Sequence, residues 1–234
     1  MRGLIFDIDD TLYSRQILFV KAAEDVLGKS VGSITDFVRI FYDVSDLNTR
    51  DLEAGKITTR ECNGWRFEQT FKRMDIPFKA GDGVKAADHY LRLQSRMCLS
   101  DRMRSVLDRL KDDPGIRLGV ITAGASDHQW NKIRMLGLEK WIDHKNIIVA
   151  GDVGVSKPDV RIFRMMEDRL SLDPSDMWMA GDSYKHDIKG ALDAGWHAIW
   201  LNRRGIRVSG PEPDVEVTDD ESFEDILSLF KDQD

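Results

Sequence analysis

The chain has 234 residues, 41% hydrophobic and 32% charged, which suffices for one sizeable core or for a core domain carrying a smaller insert and excludes disorder of the whole chain. A formal net charge of -7 without any long basic run excludes a nucleic-acid or acidic-membrane surface, which needs clustered Lys and Arg to release counterions. No apolar stretch reaches the length of a membrane span or a signal peptide, so a soluble, cytoplasmic protein is expected, with Cys62 and Cys98, which lack metal-ligand spacing, as free thiols because a reducing compartment disfavors a disulfide.

In chain order, the first apolar run, Gly3-Leu4-Ile5-Phe6, predicts a buried strand. From about residue 15 to residue 98 no comparable run occurs, and helical patterns such as 17–27 and 34–41 take its place. Beyond it, strands are predicted at 118–121, 147–150, 177–180 and 196–201, alternating with helices at 103–111, 128–136, 159–170 and 186–194. Residues 209–213 read as a surface loop, followed by a short strand at 214–217 and a closing helix at 222–230. Alternation of strand and helix predicts an α/β fold with a parallel sheet covered on both faces. The chain is therefore divided into an α/β core, residues 1–14 and 99–234, and a helical insert, residues 15–98.

Open α/β sheets bind ligands beyond the carboxyl ends of their strands, so the residues directly after each apolar run carry the functional reading. The first run ends in Asp7-Ile8-Asp9-Asp10-Thr11, two carboxylates two residues apart whose mutual repulsion calls for a cation. The second ends in Thr122-Ala123-Gly124, the loop after the third holds Ser156-Lys157-Pro158-Asp159, and the fourth ends in Gly181-Asp182-Ser183-Tyr184-Lys185-His186-Asp187. Mg²⁺ prefers a few carboxylates, several waters and a phosphate oxygen, and Asp7, Asp182 and Asp187 offer the carboxylates. Asp7 can then act as a nucleophile that forms an aspartyl phosphate, while Asp9 protonates the leaving oxygen and later deprotonates water. Thr122 as a donor and Lys157 as a point charge would hold the phosphoryl oxygens.

These four ordered motifs, Asp7-x-Asp9-x-Thr11, Thr122, Lys157-Pro158 and Gly181-Asp182-x-x-x-x-Asp187, together resemble the haloacid dehalogenase superfamily. The resemblance implies a Rossmann-like, three-layer α/β/α core with strand order 5-4-1-2-3. It also implies magnesium held by Asp7, the Asp9 backbone carbonyl and Asp182, with Asp187 beside or behind the metal. The insert resembles the helical cap domain of the subgroup with a cap after the first motif, which closes over the active site and excludes water. The stretch from Thr122 through Gln129, Lys132 and Gly137-Leu138 is similar to nucleotidase and sugar-phosphate phosphatase members, many of which have Asn where this chain has Ala123.

Plainer readings stand beside these. Asp10, Asp127 and Asp159 are taken as helix caps or solvated loop residues. Asp187 is alternatively a cap for the helix that follows it, Thr122 a cap for a helix starting near Ser126, and Lys157 a solvated loop lysine. In the insert, Arg50, Arg60, Trp65 and Arg66 are assigned to surface charge or packing, and His186 to an exposed helix start. The expected function is magnesium-dependent hydrolysis of a small phosphorylated metabolite, of the nucleotide or sugar phosphate class, by a monomer or homodimer. A phosphomutase, a 2-haloacid dehalogenase and a non-catalytic binding module are the alternatives.

Overall fold

A computed structural model describes residues 1–53, 55–219 and 222. The chain divides into two compact units, one made of Met1–Tyr13 with Cys98–Asp234 and the other of Ser14–Met97.

The first unit is built on a sheet of β1 (Arg2–Phe6), β2 (Ile116–Thr122), β3 (Ile147–Val149), β4 (Met177–Gly181), β5 (His197–Leu201) and β6 (Val215–Val217). The order is β3-β2-β1-β4-β5-β6 with every pairing parallel. The implied order 5-4-1-2-3 is present, with β6 added outside β5. Strands covered on both faces lose water from both, so they read as continuous apolar runs rather than alternating ones. Ile5, Ile121, Ile148 and Met179 from the sheet pack with Ile162, Phe163 and Met166 in one cluster, each side chain contributing about 1.5–3 kcal/mol by burial.

The second unit contains α1 (Gln16–Leu27), α2 (Ile34–Glu53), α3 (Thr59–Arg73) and α4 (Asp82–Gln94). The expected helix at 34–41 runs on to Glu53, because no Pro or Gly interrupts residues 42–53 and Gly55 follows. Thr58 and Glu61 close a capping box at the start of α3, each side chain meeting the other's backbone N–H. Phe19, Phe37, Phe41, Phe67 and Phe71 form the center of this unit, Phe19 and Phe41 stacking with ring centroids 4.3 Å apart.

In the first unit, α5 (Asp101–Asp112) leads into β2 and α6 (Ser126–Leu136) leaves it. One turn, α7 (Ala150–Val153), takes over at Ala150, which the sequence assigned to the third strand. Asp159 caps α8 (Val160–Leu170), its side chain accepting from Arg161 N, in line with its plainer reading. After β4 the chain makes a π turn, Tyr184–Ile188, before α9 (Lys189–Asp193), so the helix expected at 186–194 starts earlier and wider. A π turn carries one more residue per hydrogen-bonded ring than an α turn, which changes the face on which its side chains emerge. Apart from Ser222, the closing helix expected at 222–230 lies outside the described residues. No helix among the described residues is long and apolar enough to cross a membrane.

Candidate active site

The sheet order reverses direction at β1, which pairs with β2 on one side and with β4 on the other. Two helix layers diverge at such a point and leave a crevice beyond the carboxyl ends. Asp7 follows β1 and donates its backbone N–H to Ala180 O at 2.9 Å, so it lies level with the end of β4, where Asp182 follows. Two acids 175 residues apart in sequence thereby become neighbors.

Lys157 enters this crevice from the loop after α7. Its ammonium lies 2.7 Å from Asp7 Oδ1, 2.6 Å from Asp187 Oδ1 and 2.8 Å from Ile121 O, and its side chain is 2% exposed. The solvated-loop reading of Lys157 therefore does not hold; three acceptors surround a buried cation. Burial works against that charge, yet Asp187 and Asp7 outweigh it and keep Lys157 protonated. Burial also raises the Asp7 carboxyl above the usual carboxylate range, opposed by Lys157 and reinforced by Asp187 and Asp9.

Asp187 is placed by the π turn. Its Oδ2 accepts Ser183 N–H at 3.0 Å, while Ser183 itself caps the turn, so Asp187 reaches back toward β4 rather than capping a helix. Its approach depends on Gly181, since a Cβ at that position would stand 2.5 Å from Asp187 Cβ. His186 is exposed, as expected, with Nδ1 3.2 Å from Lys157 O.

Asp9 occupies a different setting. Lys132 Nζ donates to its Oδ2 at 2.5 Å, and the Tyr13 hydroxyl donates to its Oδ1. Thr122 is buried, and its hydroxyl donates to Gln129 Oε1 at 3.2 Å, so it does not cap α6, whose N-cap is Ala125. Asp10 departs from its plainer reading too: it is buried, with φ of 58°, because Thr11 and Leu12 N–H turn back to Ile8 O. Arg203 Nη1, just beyond β5, donates to the Asp10 carbonyl. Asp127 is exposed in the first turn of α6.

A family model for haloacid dehalogenase-like hydrolases matches residues 1–195, a span that contains all four strand ends. The chain belongs to the haloacid dehalogenase-like hydrolases. Among its relatives in this family, it is 36% identical to a phosphoserine phosphatase of Thermus thermophilus, over 94% of this chain and 96% of the relative. It is 29% identical to a glyceraldehyde 3-phosphate phosphatase of Pyrococcus abyssi, over 86% and 81% respectively. In three dimensions it is similar to YfnB of Bacillus subtilis in a crystal form bound to magnesium, with a TM-score of 0.67 at 26% identity over 97% of this chain and 98% of that one.

In this hydrolase, carboxylate oxygens of Asp7, Asp182 and Asp187 all lie within 4.8 Å of one another. Asp187 Oδ1 is buried without a hydrogen bond of good geometry, with the Lys157 ammonium 2.6 Å away. Asp7 and Asp187 share one ammonium, and Asp182 brings a third hard oxygen donor to the same place. The donor set fits a hard divalent cation. The structure thus gathers Asp7, Lys157, Asp182 and Asp187, and it gives Asp9 and Thr122 partners that the sequence did not assign: Lys132, Tyr13 and Gln129. Lys132 and Gln129 were visible only as part of a family-like stretch; what marks them in the fold is burial of long polar side chains, 4% and 3% exposed.

Proposed function

We propose that this hydrolase is a magnesium-dependent phosphatase of small phosphate monoesters that works through an aspartyl phosphate on Asp7. The observation that carries the reading is the cluster of Asp7, Asp182 and Asp187 at the ends of β1 and β4, with Lys157 paired to Asp7 and Asp187. Asp7, Asp182, Asp187 and the Asp9 backbone carbonyl would hold the metal. Magnesium bound there supplies the positive charge that offsets the carboxylates and the phosphate dianion.

The chain's own residues divide the work. An Asp7 carboxylate oxygen attacks phosphorus while the bond from phosphorus to the ester oxygen breaks, and Asp9 gives that oxygen a proton. Asp9, now a carboxylate, then takes a proton from water as the water oxygen attacks the phosphoryl group and frees Asp7. Lys157 neutralizes phosphoryl oxygens beside Asp7, and Thr122 turns its hydroxyl from Gln129 to donate to another. A halide leaving group needs neither a proton nor a metal, which would leave Asp9 and the pair Asp182 and Asp187 without a task. We place the reaction in the cytoplasm, on metabolites of the size named in the relatives.

The test is phosphate release from p-nitrophenyl phosphate and from a panel that includes phosphoserine, glyceraldehyde 3-phosphate, sugar phosphates and nucleoside monophosphates. Activity is expected with Mg²⁺, and its abolition is expected with excess chelator or on Asp7→Asn. Full activity in Asp7→Asn, or in chelator, refutes the mechanism.

A further inference from the structure

Asp9 is clasped through both of its carboxylate oxygens, Oδ2 by Lys132 Nζ at 2.5 Å and Oδ1 by the Tyr13 hydroxyl. Lys132 belongs to α6 and its side chain is 5% exposed, whereas the Asp9 side chain is 17% exposed. A lysine that needs no buried partner keeps its ammonium in water, because desolvating it is costly. Here the ammonium is drawn inward to meet one acid across 123 residues of sequence.

We propose that Lys132, with Tyr13 as a second arm, is the positioning residue for Asp9: it fixes the place and plane of the carboxylate so that a proton can pass to the leaving-group oxygen. The inference rests on the acid and base role of Asp9 proposed above. Two donors on two different oxygens remove both the sliding and the rotation of a carboxylate, and small misplacement of a proton donor is expensive in rate. Each carboxylate oxygen has two lone-pair sites, so Lys132 and Tyr13 can stay in place while a remaining site carries the proton that is transferred. Lys132 keeps its own protons throughout; the proton on the ester oxygen comes from Asp9, and Asp9 regains one from water.

Two plainer roles compete, general charge balance for an acidic crevice and direct binding of the phosphoryl group. Leaving-group dependence separates them. p-Nitrophenolate departs without a proton, whereas the alkoxide of glycerol phosphate needs one, and kcat/KM reports the first irreversible step, phosphorylation of Asp7. The experiment measures kcat/KM on both esters for wild type, Asp9→Asn, Lys132→Met, Lys132→Arg, Tyr13→Phe and the double variant Asp9→Asn with Lys132→Met.

Lys132→Met is expected to lose about tenfold more on glycerol phosphate than on p-nitrophenyl phosphate, with Lys132→Arg recovering part of the difference and Tyr13→Phe showing the same selectivity at about threefold. In the Asp9→Asn background, Lys132→Met should cost nothing further on glycerol phosphate, as for two residues that act as a unit. Equal losses on the two esters, no loss on either, or losses that multiply in the double variant each overturn the assignment. If Asp9→Asn is itself unselective, the role of Asp9 falls together with that of Lys132; if Asp9→Asn is selective and Lys132→Met is not, only the inference about Lys132 falls. Should Lys132→Met fail to fold, Tyr13→Phe and Lys132→Arg decide the matter by the same ratio.

Discussion

Lys157 Nζ lies 2.7 Å from Asp7 Oδ1 although 150 residues separate the two in sequence. The same ammonium touches Asp187 Oδ1 at 2.6 Å, so a single cation ties the loop after α7 to the end of β1 and to the turn after β4. Asp187 and Lys157 are each 2% exposed at the side chain, a setting in which removal of one partner costs far more than the pair contributes.

Lys157→Met should therefore destabilize the metal-free protein by about 3–5 kcal/mol, since Asp7 and Asp187 would be left buried without their counterion. Urea unfolding in excess chelator measures this, and added Mg²⁺ should recover part of the loss if the acids hold it. An unchanged midpoint in chelator would show that the two acids shed their charge at no cost.

Gly181→Ala introduces one methyl group where Asp187 makes its closest approach to β4, 2.5 Å from Asp187 Cβ. Backbone of a central strand lies on one side and a buried side chain on the other, so neither yields easily. A stability loss of about 1–3 kcal/mol is expected from overpacking, together with a fall in phosphate release as Asp187 is pushed out of the acid cluster. Wild-type activity and midpoint in this variant would show that Asp187 can withdraw without consequence.

Asp159 gives a pH dependence away from the crevice. Its side chain accepts from Arg161 N and pairs with the Arg161 guanidinium, which hold its carboxyl down to about 2. With an unfolded value near about 3.9, the folded state binds its proton later, so the stabilization is complete above the unfolded value and disappears as pH falls through about 2. Asp159→Asn keeps a capping oxygen but removes the charge. Its unfolding midpoint should lie below that of wild type at about pH 6, and the gap should narrow steadily between about pH 5 and pH 3. Because both groups face solvent, salt should narrow it as well; a gap that ignores pH and salt rules out the ion pair as its source.

Much of the frame is legible in the sequence. The runs at 3–6, 118–121, 177–180 and 196–201 become β1, β2, β4 and β5, because a parallel strand covered on both faces needs uninterrupted apolar residues. Local pattern fails where tertiary contacts set the outcome. Nothing in Tyr184-Lys185-His186-Asp187-Ile188 announces a π turn, which arises where Asp187 folds back over Gly181 to reach Ser183 N–H. Asp10 looks like any solvated acid after a strand, yet its left-handed backbone turns it inward.

Element types and their order, and the acids, hydroxyl and lysine placed at four strand ends, are written in the sequence, because periodicity and chain direction are local properties. Which of those groups share a proton, a cation or a hydrogen bond is decided only in the folded molecule. Lys132 on an isolated amphipathic helix is simply a charged residue, and Asp9 an acid in need of a counterion. Sheet order brings them to 2.5 Å across 123 residues, and the cost of burying an unpaired ammonium keeps them there.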